Sequence, residues 1–441
     1  MAEHLKRSRV LKALTDATRV SSFPQAEARL DAVRLNVVVG RDQLRTPAGQ
    51  AAALTAVATA HKCFGRVTLV ASDDAPLIAS VPLGHTLLKA ARRLGARIAT
   101  NPTGNATHVV RIGDIPKPSV WSVRCWWDGW LTGVRAFDMG DSRLALAGVF
   151  SGAAAVRQVF ACVLAGRDLP GREASLSLWT PWEPVDLTVR GPDLFDVPDK
   201  LWFLGLGHLG QALVWNLSFL GGSGNRLAIL QDDQSIGEEN EATSLLVLPG
   251  SPLGEHKVRI AANWLETAGW GTQLIERRHY GDIAITDYDP PYLLSGVDDL
   301  EPRRKLARHG FPFMLDTGIG HGAGDFEGIQ IRTIAKGQSL DGLWEEPSKA
   351  RNEERAKKLL DRPAYQKLDR CGALALAEAS VAVPFVGAAA AALTIAQASR
   401  LASLQPTPHL MQVELGAPEL VTNGGLAPGP ETNLGSFSIR L

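Results

Sequence analysis

Three glycines in the second half of the chain have the spacing of a phosphate-binding turn. Gly205, Gly207 and Gly210 form a G-x-G-x-x-G pattern between an apolar run, LWFL, and an amphipathic stretch. In such a strand–turn–helix unit the first glycine permits a tight turn. The second lets the backbone approach a phosphate, and the third lets the helix pack on the strand. The helix N-terminus then offers unpaired N–H groups to an anion, so the motif fits NAD, FAD or ATP.

A carboxylate and a lysine follow this turn. Asp232 ends the next apolar run, RLAILQDD, about twenty residues past Gly210, where a carboxylate can accept both ribose hydroxyls. Lys257 lies near the start of a helix predicted over Lys257–Thr267, and an ammonium there can neutralise the charge of a triphosphate. Hydride transfer has no need of that charge. The structural alternative is a solvated lysine on an amphipathic helix.

A third acidic position ends the apolar run YLLSGV. Asp298 and Asp299 stand where a strand would end, which is where open α/β sheets bind ligands, and a carboxylate there could hold Mg²⁺. The alternative is that either residue caps the following helix, which carries Arg303 and Arg304. Asp316 is predicted to end a further strand.

The elements that must position these residues come from an internal repeat. Three pairs of segments correspond in the same order: Thr55–Asp74 with Gln211–Asp233, His108–Asp114 with Tyr292–Asp299, and Ser142–Gly166 with Ala379–Ser403. Strands alternate with helices in both halves. We therefore predict an α/β fold with two Rossmann-like, doubly wound sheets that arose by internal duplication. Only the second half carries the glycine turn, so the N-terminal lobe is predicted to be inactive.

The predicted boundaries follow from composition. A segment rich in Pro and Asp is typical of a linker, and the charged segment at about 340–370 is interpreted as a crossover connection. The division is a degenerate lobe over residues 1–180, a linker over 181–199, an active lobe over 200–404 and a tail over 405–441.

Composition excludes several classes of protein. A length of 441 residues suggests two domains. The 46 basic and 46 acidic residues give a net charge of zero, so the chain as a whole lacks the positive potential that would attract nucleic acid. Four scattered cysteines without a CxxC pair favour free thiols in a reducing compartment: Cys63, Cys125, Cys162 and Cys371. The N-terminus lacks an apolar signal core, and the Ala-rich stretch Cys371–Leu401 is interpreted as a buried helix because it lacks the dense Leu and Ile of a membrane span. We expect a cytoplasmic protein with no membrane contact.

The order of these motifs resembles the activating-enzyme superfamily. Its members are bacterial adenylyltransferases that activate sulfur-carrier proteins for thiamine and molybdopterin synthesis, and eukaryotic ubiquitin-activating enzymes. The resemblance covers about residues 201–403, including the closing PFVGAAAAALTIAQASRL. The pairing of an inactive with an active lobe is similar to pseudo-dimeric ubiquitin-activating enzymes, among them bacterial versions encoded beside ubiquitin-like and conjugating-enzyme-like proteins.

The resemblance implies a function and a set of roles. The C-terminal lobe would use ATP and Mg²⁺ to adenylate the C-terminal carboxylate of a ubiquitin-like protein, and a conjugating-enzyme-like protein would be a further partner. A homodimer is an option that the sequence leaves open. The implied site roles are ribose binding by Asp232, a place beside the triphosphate for Asn240, phosphate contact by Lys257 and Mg²⁺ binding by Asp298.

Two positions depart from the family pattern D-x-D followed by S-N-x-x-R. Gln234 stands at the second acidic position, and Thr243 stands at the arginine position. Loss of the arginine weakens phosphate stabilisation unless another cation substitutes. The candidates are Arg41, Arg45, Arg259 and Arg303.

Cys371 is the candidate acceptor of an activated acyl group. It follows the crossover at a predicted helix start, where the helix dipole lowers the pKa of a thiol. The alternatives are a buried core cysteine, or an acceptor hydroxyl on Thr243 or Ser244. At the level of the whole chain, two other functions stay open. One is a catalytically decayed scaffold in a ubiquitin-like pathway, and the other is an NAD(P)-dependent oxidoreductase.

Overall fold

The computed structural model shows two lobes, each built on one sheet. It describes residues 7–136, 140, 142–222, 225–283, 285–297, 300–308, 310–340, 343, 349–425, 431–434 and 437–440. One apolar core runs through both lobes without a break.

The first lobe contains a seven-stranded sheet in the order β3-β2-β1-β4-β5-β6-β7. The strands from β3 to β5 are parallel, and β6 and β7 are antiparallel additions. The strands are β1 Leu35–Val39, β2 Val67–Ala71, β3 Arg97–Ala99, β4 His108–Ile112, β5 Trp121–Asp128, β6 Leu131–Val134 and β7 Ala174–Ser177.

The second lobe repeats this plan in the order β10-β9-β8-β11-β12-β13-β14-β15. The first five strands in this order, from β10 to β12, are again parallel, and the last three strands pair antiparallel. The strands are β8 Lys200–Leu204, β9 Leu227–Gln231, β10 Gly271–Ile275, β11 Tyr292–Ser295, β12 Phe313–Ile319, β13 Gly328–Ala335, β14 Leu410–Glu414 and β15 Val421–Asn423. A separate hairpin consists of β16 Glu431–Leu434 and β17 Phe437–Arg440.

The helices connect these strands and form the interface between the lobes. In the first lobe they are α1 Ser8–Thr15, α2 Phe23–Asp31, α3 Pro47–Phe64, α4 Leu87–Arg93 and α5 Ala145–Ala165. In the second they are α6 His208–Leu220, α7 Glu238–Thr243, α8 Lys257–Thr267, α9 Leu300–Ala307, α10 Lys349–Leu360, α11 Pro363–Gln366, α12 Arg370–Glu378 and α13 Pro384–Ala402.

The topology confirms the predicted duplication. The first seven strands of the second sheet have the same order as the strands of the first sheet. All three sequence correspondences fall on equivalent elements: α3–β2 with α6–β9, β4 with β11, and α5 with α13. The fold class predicted from alternating strands and helices, two Rossmann-like sheets, is therefore confirmed.

The two long Ala-rich helices form the centre of the molecule. α5 packs along α3, and α13 packs on α5 and α6 across the lobes. A Cβ at Gly148 or Gly152 would overlap the backbone of α3, so small residues permit this close approach. Both α5 and α13 are long and apolar enough to cross a membrane, but 89% and 94% of their apolar windows are buried inside the fold. The interpretation of Cys371–Leu401 as containing a buried helix is confirmed.

Burial and strand register define two local features. Trp127 and Trp130, in the segment WSVRCWWDGW (Trp121–Trp130), are buried in β5 and the turn after it, so they belong to the core. Asp316 does not end its strand, because β12 continues to Ile319 in register with β13. Its fully buried carboxylate instead pairs with Arg303 and Arg332 in the middle of the sheet.

The described part of the crossover segment is mostly helical. It contains α10 and α11, and these helices pack with α12. Buried Lys12 of α1 donates to the Tyr365 hydroxyl at 2.7 Å and to the Leu376 carbonyl oxygen at 2.7 Å. The Tyr365 hydroxyl donates in turn to Asp16 at 2.7 Å. The N-terminal helix of the first lobe therefore holds the crossover of the second.

Candidate functional site

The strand order reverses between β8 and β11 at the carboxyl edge of the second sheet, the point at which open α/β sheets form a ligand-binding crevice. These parallel strands are neighbours, and each is followed by a glycine-containing turn. The two turns touch, because a Cβ at Gly205 would lie 2.8 Å from Val297 Cγ1 and one at Gly296 would lie 3.2 Å from the Gly210 nitrogen. Ligands of open α/β sheets bind at such a point.

The three glycines of the turn are required for different reasons. Gly205 adopts φ +81°, a left-handed conformation that side chains disfavour. A Cβ at Gly210 would overlap the carbonyl oxygen of Gly205, so glycine permits the close packing of α6 on the turn. At Gly207, by contrast, no atom lies within 4 Å of an added Cβ. The fold itself gives no reason for glycine at position 207, which leaves room for a ligand.

Asp232 lies directly against this turn. Its Oδ2 accepts the Leu206 N–H at 2.6 Å, and its Oδ1 accepts the Gln234 N–H at 2.7 Å. Because backbone donors on both sides fix the carboxylate, it stands at the mouth of the crevice in one orientation. The structure thus brings together the glycines and the carboxylate that the sequence singled out.

Lys257 is the first residue of α8, as predicted, and it is only 5% exposed. Its Nζ donates to Gln234 Oε1 at 2.6 Å. Among the residues that the structure describes, no carboxylate lies within ion-pair distance of this ammonium. A buried cation without a counter-ion is costly. The neutral amide of Gln234 therefore holds Lys257 in place without neutralising it.

Asn240 has contacts within its own helix. Its Oδ1 accepts the Gly237 N–H at 2.9 Å, and its Nδ2 donates to Ser244 Oγ at 3.5 Å. The bond to Gly237 caps the start of α7, and the bond to Ser244 reaches the residue that ends it. The side chain therefore has a structural role beside the one that the family resemblance implies.

The remaining predicted residues differ in what the structure shows. Asp298 and Asp299 lie outside the described residues, but the described chain reaches Val297 directly before them. Arg303 donates to the Val297 carbonyl oxygen at 2.7 Å and so holds this turn at the sheet edge. Cys371 is the second residue of α12, so the predicted position at a helix start is confirmed.

The alternative acceptors are poorly placed for an acyl carrier. Thr243 is 1% exposed and donates its hydroxyl to the Glu239 carbonyl oxygen at 2.9 Å, and Ser244 is fully buried. A macromolecular substrate cannot reach either hydroxyl in this conformation.

The candidate replacements for the missing arginine have other partners. Arg303 pairs with Asp316, and Arg259 pairs with Glu276 on the surface. The two first-lobe candidates contact their own lobe, Arg41 through Ser72 and Arg45 through Asp73.

Lys62 of α3 is a first-lobe cation that the sequence did not reveal. Its Nζ donates to the Glu241 carbonyl oxygen at 2.5 Å and to the Val247 carbonyl oxygen at 2.7 Å, both in the second lobe. Between these carbonyls lies Thr243, whose own carbonyl oxygen accepts from His208 Nδ1 at 2.5 Å. Lys62 therefore fixes the segment that flanks the glycine turn. Only packing of α3 on α7 brings it there, across about 180 residues of sequence.

Burial lowers the pKa of Lys62 to about 7, against the smaller opposing effect of the Glu241 carboxylate. A neutral amine has two N–H donors for the two carbonyls. In the unfolded chain the lysine binds a proton up to its ordinary pKa of 10.5. Between these values the unfolded state binds more protons, so the contribution of Lys62 to stability rises with pH and is lost as pH falls towards 7.

We expect Lys62→Met to remove this pH dependence. From about pH 7.5 to about pH 9.5 the free energy of unfolding of the wild type should rise, relative to the variant, by at least about 1 kcal/mol. Urea unfolding of both proteins at the two pH values measures the difference, with exposed Lys336→Met as the control. Parallel pH dependences of wild type and Lys62→Met would exclude a neutral buried lysine.

Comparisons with known proteins cover both lobes. A family profile described as the BilD C-terminal domain matches residues 197–404, and one described as the BilD N-terminal domain matches residues 34–178. A protein of Collimonas sp. (strain OK412), named bacterial E1-like protein BilD, is 30% identical over an alignment of 419 residues, and the match covers 90% of this chain and 89% of that protein.

Solved structures also match in part. The crystal structure of E. coli MccB is 14% identical, covers 52% of this chain and 63% of its own, and has a TM-score of 0.34. The crystal structure of E. coli MccB with ATP is 13% identical, covers 52% of this chain and 64% of its own, and has a TM-score of 0.33. The chain thus spans less than two thirds of these solved structures.

Proposed function

The chain belongs to the BilD family, which includes a bacterial E1-like protein, and we propose that it adenylates the C-terminal carboxylate of a ubiquitin-like protein with ATP and Mg²⁺. The observation that carries this proposal is the group of side chains and backbone at the carboxyl edge of the second sheet. An open glycine turn, a fixed carboxylate and a buried lysine with no counter-ion among the described residues lie together there.

The charges of the crevice fit a nucleotide triphosphate. Phosphate oxygens can approach the turn at Gly207 and the N-terminus of α6, because the first N–H groups of a helix have no intrahelical partner. The Lys257 ammonium can form an ion pair with a phosphate oxygen, and the Asp232 carboxylate is placed to accept hydrogen bonds from the ribose hydroxyls. Gln234 favours this arrangement, because an aspartate there would neutralise the lysine before ATP arrives.

The reaction then has a defined course. An oxygen of the carrier carboxylate attacks the α-phosphorus of ATP, the bond from that phosphorus to the bridging oxygen breaks, and pyrophosphate leaves with the negative charge. Lys257 stabilises charge that develops on the phosphates. Mg²⁺ would neutralise charge on the same phosphates when bound, and we assign its binding to Asp298, which directly follows Val297 in the sequence.

The test of this function is ATP–pyrophosphate exchange with Mg²⁺ and candidate ubiquitin-like proteins whose C-terminus is glycine. We expect exchange in the wild type that requires the carrier and is lost in Asp298→Ala. Isothermal titration with ATP, with and without Mg²⁺, is measured in parallel. Magnesium-dependent ATP binding without exchange would favour a scaffold, and absence of ATP binding by the folded protein would contradict the proposal.

We propose Cys371 as the acceptor in a second step. A thiolate at the start of α12 attacks the carbonyl carbon of the acyl adenylate and releases AMP, which leaves the carrier as a thioester. We expect Cys371→Ala to lose the reducible adduct in non-reducing gels and to retain pyrophosphate exchange. An adduct that persists in Cys371→Ala would show that another residue accepts the carrier.

A further inference from the structure

Three side chains with metal-binding atoms meet in the first lobe, away from the nucleotide crevice. His108 begins β4, Cys162 lies in the last turn of α5, and Asp168 lies in the loop after α5. Their ligand atoms all lie within 4.8 Å of one another, and His108 Nε2 is 3.4 Å from Asp168 Oδ1. Zinc bond lengths place two ligands of one tetrahedral ion about 3.3–3.6 Å apart. The cluster therefore needs only small movements to bind a cation.

The surroundings of His108 are compatible with a free Nε2 lone pair. Its Nδ1 lies 2.9 Å from Thr107 Oγ1, and this hydroxyl also accepts the Arg34 N–H at 3.0 Å. In the tautomer in which Nδ1 donates to the hydroxyl, the lone pair of the buried Nε2 faces the Cys162 thiol and the Asp168 carboxylate. Binding of a cation would select this tautomer, because a metal-bound histidine keeps its proton on the other nitrogen.

The other two ligands are held in place by hydrogen bonds around them. Cys162 Sγ accepts the Leu169 N–H at 3.3 Å, and the Leu169 carbonyl oxygen accepts from Trp121 Nε1 at 2.6 Å. The Trp121 ring also packs edge-on against the His108 ring, with centroids 5.3 Å apart. These contacts fix the loop that carries Asp168. Fixed outer contacts of this kind orient the ligands of metal sites.

Burial favours a neutral imidazole and leaves one face open. His108 is 8% exposed and Cys162 is 3% exposed, whereas the Asp168 side chain is 66% exposed. Desolvation by burial lowers the pKa of His108, against the opposing effect of the Asp168 carboxylate. The exposed side of Asp168 leaves a position for water.

We propose that His108, Cys162 and Asp168 bind one zinc-class divalent cation, with water as the fourth ligand. The imidazole nitrogen, the sulfur and a carboxylate oxygen are all ligands that zinc accepts, and the thiol releases its proton to the solvent on binding. The cation would join β4 to the end of α5, one of the helices that packs on α13. This proposal is independent of the adenylation chemistry.

The test uses the full-length protein after removal of metals with chelator. We expect one equivalent of Co²⁺ to give a sulfur-to-cobalt charge-transfer band that Zn²⁺ abolishes, and Zn²⁺ to raise the thermal midpoint by several degrees. Both effects should be lost in Cys162→Ser and in His108→Gln. Replacement of exposed His85 by Gln is the matched control and should change neither.

Asp168→Asn keeps the test decisive if the buried variants fail to fold, because its side chain is mostly exposed. Loss of an outer-shell partner lowers metal affinity by about 10–100-fold, and loss of a ligand should cost no less. We therefore expect Zn²⁺ affinity to fall at least about tenfold in Asp168→Asn. Absence of the cobalt band in the wild type, a band retained in Cys162→Ser, or unchanged affinity in Asp168→Asn would overturn the proposal.

Discussion

Replacing Lys257 by alanine is expected to lower the rate of ATP–pyrophosphate exchange by about 10²–10³-fold, the usual cost of removing one donor that stabilises transition-state charge. Lys257 is 5% exposed, and Gln234 holds its ammonium without a described counter-ion. Its removal deletes a cation aimed at the phosphates. It leaves no buried carboxylate unpaired among the described residues, so the fold should persist.

Lys336→Ala provides the matched control for this variant. Lys336 is exposed just past β13, at the amino-terminal edge of the same sheet, because Ala335 pairs with Phe313 at the start of β12. The control should retain wild-type exchange. If Lys257→Ala kept exchange within about threefold of wild type, well short of the usual loss, the lysine would have no role in phosphate stabilisation.

The second large effect is the contrast between Gly207 and Gly210 when each is replaced by serine. Gly210→Ser should lower the free energy of unfolding by about 1–3 kcal/mol or more, because its Cβ overlaps the Gly205 carbonyl oxygen. Gly207→Ser should change stability by no more than about 0.5 kcal/mol, because the added Cβ meets no atom and serine is a good N-cap for α6.

The affinity for ATP, in contrast to stability, should be more sensitive to serine at position 207 than at position 210. Gly207→Ser places a side chain where a phosphate would approach the backbone, so we expect the dissociation constant for ATP to rise by at least about tenfold, equivalent to about 1.4 kcal/mol. Urea unfolding and isothermal titration with ATP and Mg²⁺ measure the two properties. A Gly207→Ser protein that binds ATP as tightly as wild type would show that the ligand does not approach this turn.

Much of the fold could be predicted because the relevant signals are local. The glycine spacing, the apolar runs and the start of α8 at Lys257 depend on neighbours in sequence, and all three lie as expected. The duplication was visible for the same reason, since each half repeats its own strand and helix patterns. Asp316 was placed wrongly because the sequence does not show that β12 extends past it to pair with β13.

The parts of the site that the sequence missed depend on contacts between distant segments. Lys62 reaches the flank of the crevice through packing of α3 on α7, and no local pattern marks it. The effect of Gln234 likewise follows from its bond to Lys257, which comes from another element. In the sequence, Gln234 is only the loss of a negative charge, whereas in the structure it positions a lysine that has no carboxylate partner in the described part of the chain.

The measurement that most directly tests adenylation is ATP–pyrophosphate exchange with two forms of one ubiquitin-like protein. One form has a free C-terminal carboxylate, and the other has the same sequence with a C-terminal amide. We expect Mg²⁺-dependent exchange with the first form and none with the second, because only a carboxylate oxygen can attack the α-phosphorus. Equal exchange with both forms, or no exchange with any carrier by folded protein that binds ATP, would contradict the proposed function.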